Sequence, residues 1–217
     1  MKKPQPIRSE LYERSSCTFF DDLHTMMISL SSLMMISQVF RLKRSPIIDI
    51  DDPIKLERAI EVPFEGQTIK EAWSFRAYES FMAMVENRAT DIVEFTVYPP
   101  LETSIRDIAN LHYIIQSVLF QQKIIGSGFS NYFENNRHKI ESKYGSNTTS
   151  WPADWNFSRV IRNAYSHGGN INFSNPSALP VSWKSITYSP SDNGKSIHED
   201  IFLPEILELL RDMQNHL

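Results

Sequence analysis

Residues 155–169 read WNFSRVIRNAYSHGG and have the pattern of a helix that ends at two glycines. The apolar side chains recur at the spacing of a helix with one face on a core, and they are Trp155, Phe157, Val160, Ile161, Ala164 and Tyr165. Asp154 can cap the first turn, and the pair Gly168-Gly169 is a C-terminal glycine signal. We therefore predict a helix that spans residues 154–169.

The polar residues of this helix suit proton transfer next to a phosphate. Asn163 and His167 are four residues apart, so they share one face of a helix. Arg162 lies one position earlier, and its long side chain can reach towards that face. An arginine fork can grip a phosphate, an amide can orient a group, and an imidazole can transfer a proton near neutral pH. We find no pattern of metal ligands here.

This set of groups fits RNA cleavage by the neighbouring 2′-hydroxyl. A base removes the 2′-hydroxyl proton, the charge of the phosphorane is stabilised, and an acid protonates the leaving 5′-oxygen. One His167 per chain supplies only one of the two proton transfers, so a symmetric homodimer is the mechanistic expectation. Arg159 can add a phosphate contact to bound RNA, or it can be a charge on the helix surface.

A purely structural interpretation of the same residues stays open. A histidine before two glycines can act only as a donor at the helix end, and Arg162 can be a surface charge. Asn163 can bond to the preceding loop. Spacing alone does not choose between the two interpretations.

The composition excludes several classes of protein. The chain has 217 residues, 22 of them basic and 26 acidic, for a net charge of −4 at pH 7. A mildly acidic chain has no field for coating duplex nucleic acid, although a local RNA site needs only a few arginines. One cysteine, Cys17, excludes a disulfide framework and a zinc site built on several thiolates, and we expect it to pack as a small apolar side chain.

The most apolar stretch is too short to cross a membrane. It runs over Thr25–Phe40 and has 16 residues, whereas a spanning helix needs about 20. The first residues carry lysines without an apolar run close behind, which is not the pattern of a secretory signal. We expect a cytoplasmic protein with no membrane contact.

Elsewhere the periodicity predicts mostly helices. We expect helices over about 16–44, 68–89 and from 103 onwards, the last kinked or ended by Gly126 and Gly128 before it resumes at 129–144. Residues 45–66 are expected to be a connection, and residues 92–97 a short strand or a helix end. Residues 170–200 are expected to hold two or three short strands with a hairpin, before an amphipathic helix from about residue 201.

The string RNAYSHGG at 162–169 resembles a known family. An arginine, a polar residue and a histidine four positions later match the R-x4-6-H motif of HEPN domains. The strand pattern VSWKSITY and the terminal helix that follow are similar to a plasmid-borne branch of that family. The resemblance covers about residues 100–217, and the N-terminal half matches only as helices.

The resemblance implies a mainly α fold, an HEPN-like helical bundle with a small C-terminal β-hairpin segment. The whole chain, 1–217, would be one such domain, with subdivisions at 16–150 (bundle), 154–169 (motif helix), 170–200 (strands) and 201–217 (terminal helix). It further implies a homodimer that cleaves RNA without metal or cofactor, as a toxin with a cognate antitoxin or in anti-phage defence. Arg162 and His167 would be catalytic, with Asn163 in support.

Two rival functions remain. One is a catalytically inactive HEPN module that binds a nucleotide or a partner protein. The other is a structural dimer held by the Met-rich helix at 16–44. Weaker candidate sites are the pair Asp21 and His24, the run His198-Glu199-Asp200, expected to be a cap and solvated charge, and the basic cluster Arg137-His138-Lys139.

Overall fold

The computed structural model describes residues 5–42, 61–99 and 111–217. These residues form two units. The first contains the described residues 5–42, 61–65 and 70–99, and the second contains residues 66–69 and 111–217. The remaining positions, among them the expected start of a helix at 103, lie outside the described residues.

The first unit is built on a four-stranded antiparallel sheet. The strands are β1 (Arg8–Glu13), β2 (Glu61–Glu65), β3 (Ala72–Arg76) and β4 (Ile92–Tyr98), in the spatial order β1-β4-β3-β2. Two helices accompany the sheet, α1 (Phe20–Leu42) and α2 (Ala77–Val85), and they contact each other. The alternative of a strand at residues 92–97 is therefore confirmed, and so is the helix in the 16–44 region.

The prediction of a mainly α helical bundle is wrong, because this sheet lies within the expected bundle at 16–150. The fold is mixed α/β. Of the helix expected over 68–89 only α2 is helical, and β3 occupies the part before it. Four successive residues of β3, from Ala72 to Phe75, are buried. An inner strand covered on both faces shows no alternation of apolar and polar residues, so its sequence cannot be told from a helix.

The residues of β4 and β2 explain why strands form at these positions. In β4 the buried residues alternate at Val93, Phe95 and Val97, as expected for a strand. Pro63 has no N–H to donate to a ladder, and it lies on β2, an edge strand. The core between these strands and α1 includes Met26 and other fully buried side chains, namely Phe19, Leu23, Met27, Leu30, Trp73 and Phe95. Cys17 is 8% exposed, which confirms its packing role.

The second unit is mostly helical. It contains α3 (Leu111–Tyr144), α4 (Ala153–Ser166) and α5 (Leu203–Gln214), with a short hairpin of β5 (Val181–Trp183) and β6 (Ile186–Tyr188) between the last two. Short 3₁₀ turns lie at Thr148–Ser150, Pro190–Asp192 and Ile197–Glu199. Helix α4 packs against α3, α5 and β5. The predicted motif helix, the hairpin and the terminal helix are therefore confirmed.

Helix α3 runs without a break through Gly126 and Gly128, so the expectation that it ends there is wrong. The reason lies in packing across to α4. A Cβ at Gly126 would lie 2.3 Å from Cδ1 of Tyr165, closer than two carbon atoms can approach. Gly126 therefore leaves space for the Tyr165 ring and does not end the helix.

None of the helices in the described ranges is both long enough and apolar enough to cross a membrane. Helix α1 has 23 residues, but polar side chains interrupt it, and four serine or threonine hydroxyls turn back onto the helix carbonyls one turn earlier. These hydroxyls satisfy their own hydrogen-bonding capacity locally, which lets α1 carry them along a partly buried face.

A buried carboxylate organises the start of α5. Glu205 is fully buried and accepts three backbone hydrogen bonds. Its Oε1 accepts from the N–H groups of Thr68 at 2.7 Å and Ile69 at 3.0 Å, and its Oε2 accepts from Phe202 N–H at 3.0 Å. One side chain therefore caps α5 and fixes the 66–69 segment of this unit.

Replacement of Glu205 should be far more damaging than replacement of its neighbour on the same helix. In Glu205→Ala three half-buried backbone N–H groups lose their acceptor, so we expect the free energy of unfolding to fall by about 3 kcal/mol. Glu208 contacts the exposed Lys184, and Glu208→Ala should cost less than about 1 kcal/mol. Urea unfolding followed by far-UV circular dichroism measures both, and equal losses would contradict the structural role given to Glu205.

Candidate active site at the end of helix α4

His167 stands directly after the last residue of α4, and its side chain is exposed. Its backbone N–H donates to the carbonyl oxygens of Ala164 at 2.9 Å and Asn163 at 3.2 Å. Gly168 and Gly169 follow with φ of +71° and +88°, a left-handed conformation that favours glycine, and Gly169 N–H closes onto Ala164 O at 2.8 Å. The imidazole is therefore presented to solvent from a fixed backbone position.

Arg162 is paired with a residue that the sequence did not indicate. Its Nε lies 2.5 Å from Oε1 of Glu134 on α3. The two groups form an ion pair whose geometry is not that of a hydrogen bond. Both side chains remain more than a third exposed, at 37% and 41%. No local pattern could have pointed to Glu134, since it meets Arg162 only because α3 and α4 pack together.

Asn163 supports the chain that follows His167. Its Nδ2 donates to the backbone oxygen of Asn172 at 2.6 Å, and its side chain is half-buried. This bond ties the loop after the two glycines back to α4. The Asn163 amide thus bonds to the loop that follows α4, whereas the structural interpretation of the sequence expected a bond to the loop that precedes it.

Arg159 is half-buried, one turn before Arg162. Its Nε and Nη2 both donate to Oδ1 of Asn156, each at 3.2 Å. Burial lowers the pKa of Arg159, and the nearby positive charge of Arg137 lowers it further. Two cations thus lie near one another where α3 and α4 meet, and Arg137 is itself bonded to Glu141 at 2.8 Å.

A cavity of about 300 Å³ opens beside the end of α4. One wall is the face of α3 that carries Gly126, Ser127 and Ser130, with Gln122 and Lys123 further along. The opposite wall consists of Tyr165, His198 and the backbone around His167. Because Gly126 has no side chain, the Tyr165 ring can lie against α3 and form part of this wall.

His198 was expected to belong to a cap with solvated charge, but its imidazole is half-buried against Tyr165. The two rings lie 5.8 Å apart between centroids at an angle of 52°. Burial lowers the pKa of His198 and raises the pKa of Tyr165, so both rings are neutral at pH 7. Nδ1 of His198 is buried. The sequence His198-Glu199-Asp200 is polar throughout, so it does not indicate that His198 packs against Tyr165.

The other candidate sites named from the sequence do not form a metal site in the part of the chain that the structure describes. Within residues 5–42, 61–99 and 111–217, no group of three or more His, Cys, Asp or Glu side chains is arranged to hold a metal ion. Asp200 instead accepts hydrogen bonds from Lys195 at 2.7 Å and from the Tyr188 hydroxyl at 3.0 Å. His24 stacks on Phe20 with ring centroids 5.9 Å apart.

The burial of His198 predicts a stability that depends on pH. In the unfolded chain the imidazole takes up a proton at a pH of about 6.5, whereas the folded protein takes it up only at lower pH. Between these two values the unfolded chain holds the extra proton, so stability falls as the pH drops below 6.5. In His198→Gln this loss should become smaller, and the part that comes from His24, whose pKa is also lowered by burial, should remain.

Urea unfolding between neutral and mildly acidic pH tests this dependence, together with NMR titration of the His198 ring. His138→Gln removes an exposed imidazole and is the control for the loss of one histidine from the chain. A His198 ring that titrates at its ordinary value, or a variant with the wild-type pH profile, would contradict the prediction.

The chain matches no protein-family model, no curated protein and no solved structure. The arrangement of residues around the end of α4 is therefore the basis for assigning a function.

Proposed function

We propose that this protein is a metal-independent endoribonuclease of the HEPN type, which cleaves RNA through attack of the 2′-hydroxyl on the adjacent phosphate. The observation that carries the proposal is the exposed His167 imidazole at the rigid end of α4, with Arg162 on the same final stretch of helix. The resemblance of RNAYSHGG to the HEPN motif supports the same chemistry.

His167 is the proton-transfer group in this mechanism. As a base it removes the 2′-hydroxyl proton, the 2′-oxygen forms a bond to phosphorus, and the bond to the 5′-oxygen breaks. An acid returns a proton to that oxygen, which leaves a 2′,3′-cyclic phosphate and a 5′-hydroxyl. His167 of a second copy is the acid, since one chain supplies one exposed imidazole at this site.

Arg162 stabilises the negative charge of the phosphorane. Its present partner, Glu134, is a half-exposed carboxylate, and an ion pair of this kind contributes at most about 1 kcal/mol because solvent screens it. An RNA phosphate can therefore take over the guanidinium at little cost, with the bidentate geometry that arginine favours. Arg159 adds a second cation for the backbone of the RNA.

Asn163 is a positioning residue. Its bond to Asn172 fixes the loop that follows the two glycines and thereby the direction in which the chain leaves His167. An enzyme that cleaves cellular RNA acts in the cytoplasm and must be restrained there. A role as a toxin held by a cognate antitoxin, or in anti-phage defence, follows from the resemblance.

A catalytically inactive module that binds a nucleotide is the second candidate. The observation in its favour is that two of the three motif side chains, Arg162 and Asn163, already have partners within the chain. The cavity next to Tyr165 would then be the binding site, and no RNA would be cut.

The deciding experiment is cleavage of total cellular RNA by purified protein in excess EDTA. His167→Ala and Arg162→Ala should each lower the rate by at least about 100-fold, because each removes a group that acts in the transition state. Arg88→Ala removes an exposed arginine of the first unit and should cleave like wild type. Products should end in 2′,3′-cyclic phosphate.

Equal cleavage by wild type, His167→Ala and Arg162→Ala would refute this site. Absence of cleavage by every variant, with nucleotide bound by wild type, would favour the inactive module. A purified protein that stays monomeric at its 25.2 kDa chain mass while it cleaves RNA would contradict the two-copy mechanism.

Mixed dimers test the need for two His167 side chains directly. If both are required at one site, a dimer of wild type and His167→Ala is inactive. Equal mixing after subunit exchange should then leave about a quarter of the wild-type activity, as expected for random pairing in a symmetric dimer. A mixture that retains half of the activity would show that each chain acts alone.

A further inference from the structure

We propose that the cavity between α3 and the end of α4 binds one unstacked base of the RNA, and so selects the nucleotide next to the cleaved bond. This inference rests on the proposed endoribonuclease function. The cavity involves Tyr165 and His198, neither of which has a part in the mechanism above.

The position of the cavity ties it to His167. Ser166, Gly168 and Gly169 line it, and they are the residues on either side of His167. A base held in the cavity would therefore lie next to the backbone on both sides of His167, and we expect its ribose and phosphate near that residue. Lys123, which is exposed on the α3 side of the cavity, supplies a positive charge for that backbone.

The size and walls of the cavity fit a nucleobase. A volume of about 300 Å³ is at the small end of ligand sites in proteins, which have mainly apolar walls and a few polar groups. The rings of Tyr165 and His198 offer aromatic surfaces on which a base can stack. Unstacked bases of single-stranded RNA are recognised in this way, by stacking and by hydrogen bonds to their edges.

Polar groups that can read the edge of a base are also present. The amide of Gln122 and the hydroxyls of Ser127 and Ser130 lie in the wall of α3, and each can donate or accept a hydrogen bond. On the other wall, Nε2 of His198 lies 2.7 Å from where a Cβ of residue 169 would be. Because residue 169 is glycine, no side chain at that position covers this nitrogen.

The test fills the cavity and leaves the motif intact. Ser130 is half-buried in the wall, so Ser130→Trp places an indole in the cavity, whereas Asn135→Trp places one on an exposed position of the same helix outside it. The four nucleoside 3′-monophosphates are titrated calorimetrically into wild type and both variants. Ribose 5-phosphate, which lacks a base, is the control ligand.

We expect at least one of the four nucleotides to bind to wild type and to Asn135→Trp alike, and to bind at least about tenfold more weakly to Ser130→Trp. Ribose 5-phosphate should bind to none of them with that affinity. Equal affinity of all three proteins for every nucleotide, or ribose 5-phosphate that binds as well as the nucleotides, would overturn the proposal. If Ser130→Trp does not fold, Ser127→Trp fills the cavity from an exposed position and replaces it.

Mapped cleavage sites separate this proposal from the proposed function. If both hold, wild type prefers one base at a fixed distance from the cut, and Ser130→Trp loses that preference. Nucleotide binding that Ser130→Trp abolishes, in a protein that cuts no RNA, would keep the base site and refute the nuclease. Cleavage through His167 without base preference, and without nucleotide binding, would keep the nuclease and refute the base site.

Discussion

The candidate site depends on the contact between the ring of Tyr165 and α3 at Gly126. At that point α3 has no side chain, so the two helices can approach until the aromatic ring meets the helix backbone. The same approach brings Glu134 of α3 to Arg162 of α4 and leaves the cavity open beside the end of α4. A larger residue at position 126 would separate the helices or displace the ring. Either change would alter the contact between Glu134 and Arg162 and the shape of the cavity.

The net charge of the chain also limits how the candidate site could bind RNA. A protein with a net charge of −4 has no overall field that attracts RNA, so the proposed RNA site would depend on local contacts. Arg159, Arg162 and Lys123 supply cations along α3 and α4, and the carboxylates of Glu134 and Glu141 partly offset the positive charge. Local binding of this kind is sensitive to salt and suits a substrate held at a few phosphates.

Helix α4 could be predicted from sequence because each of its determinants is local. Its apolar residues repeat at helical spacing, and glycines with positive φ follow its last turn. The sheet of the first unit could not be predicted, since β3 has no alternation of buried and exposed residues and its partner strands come from distant parts of the chain. The contacts of Glu134 and His198 could not be predicted for a related reason, because they join elements far apart in sequence.

The buried Glu205 sets the order in which this protein can mature. Its carboxylate binds the backbone of residues 68 and 69, which leave the ribosome well over a hundred residues earlier. The second unit therefore stays incomplete until α5 emerges, because its earliest segment waits for that helix. Since α4 packs against α5, the end of α4 reaches its final surroundings only after α5 has been synthesised. A nuclease with this topology would stay inactive as a nascent chain until that helix has joined the unit.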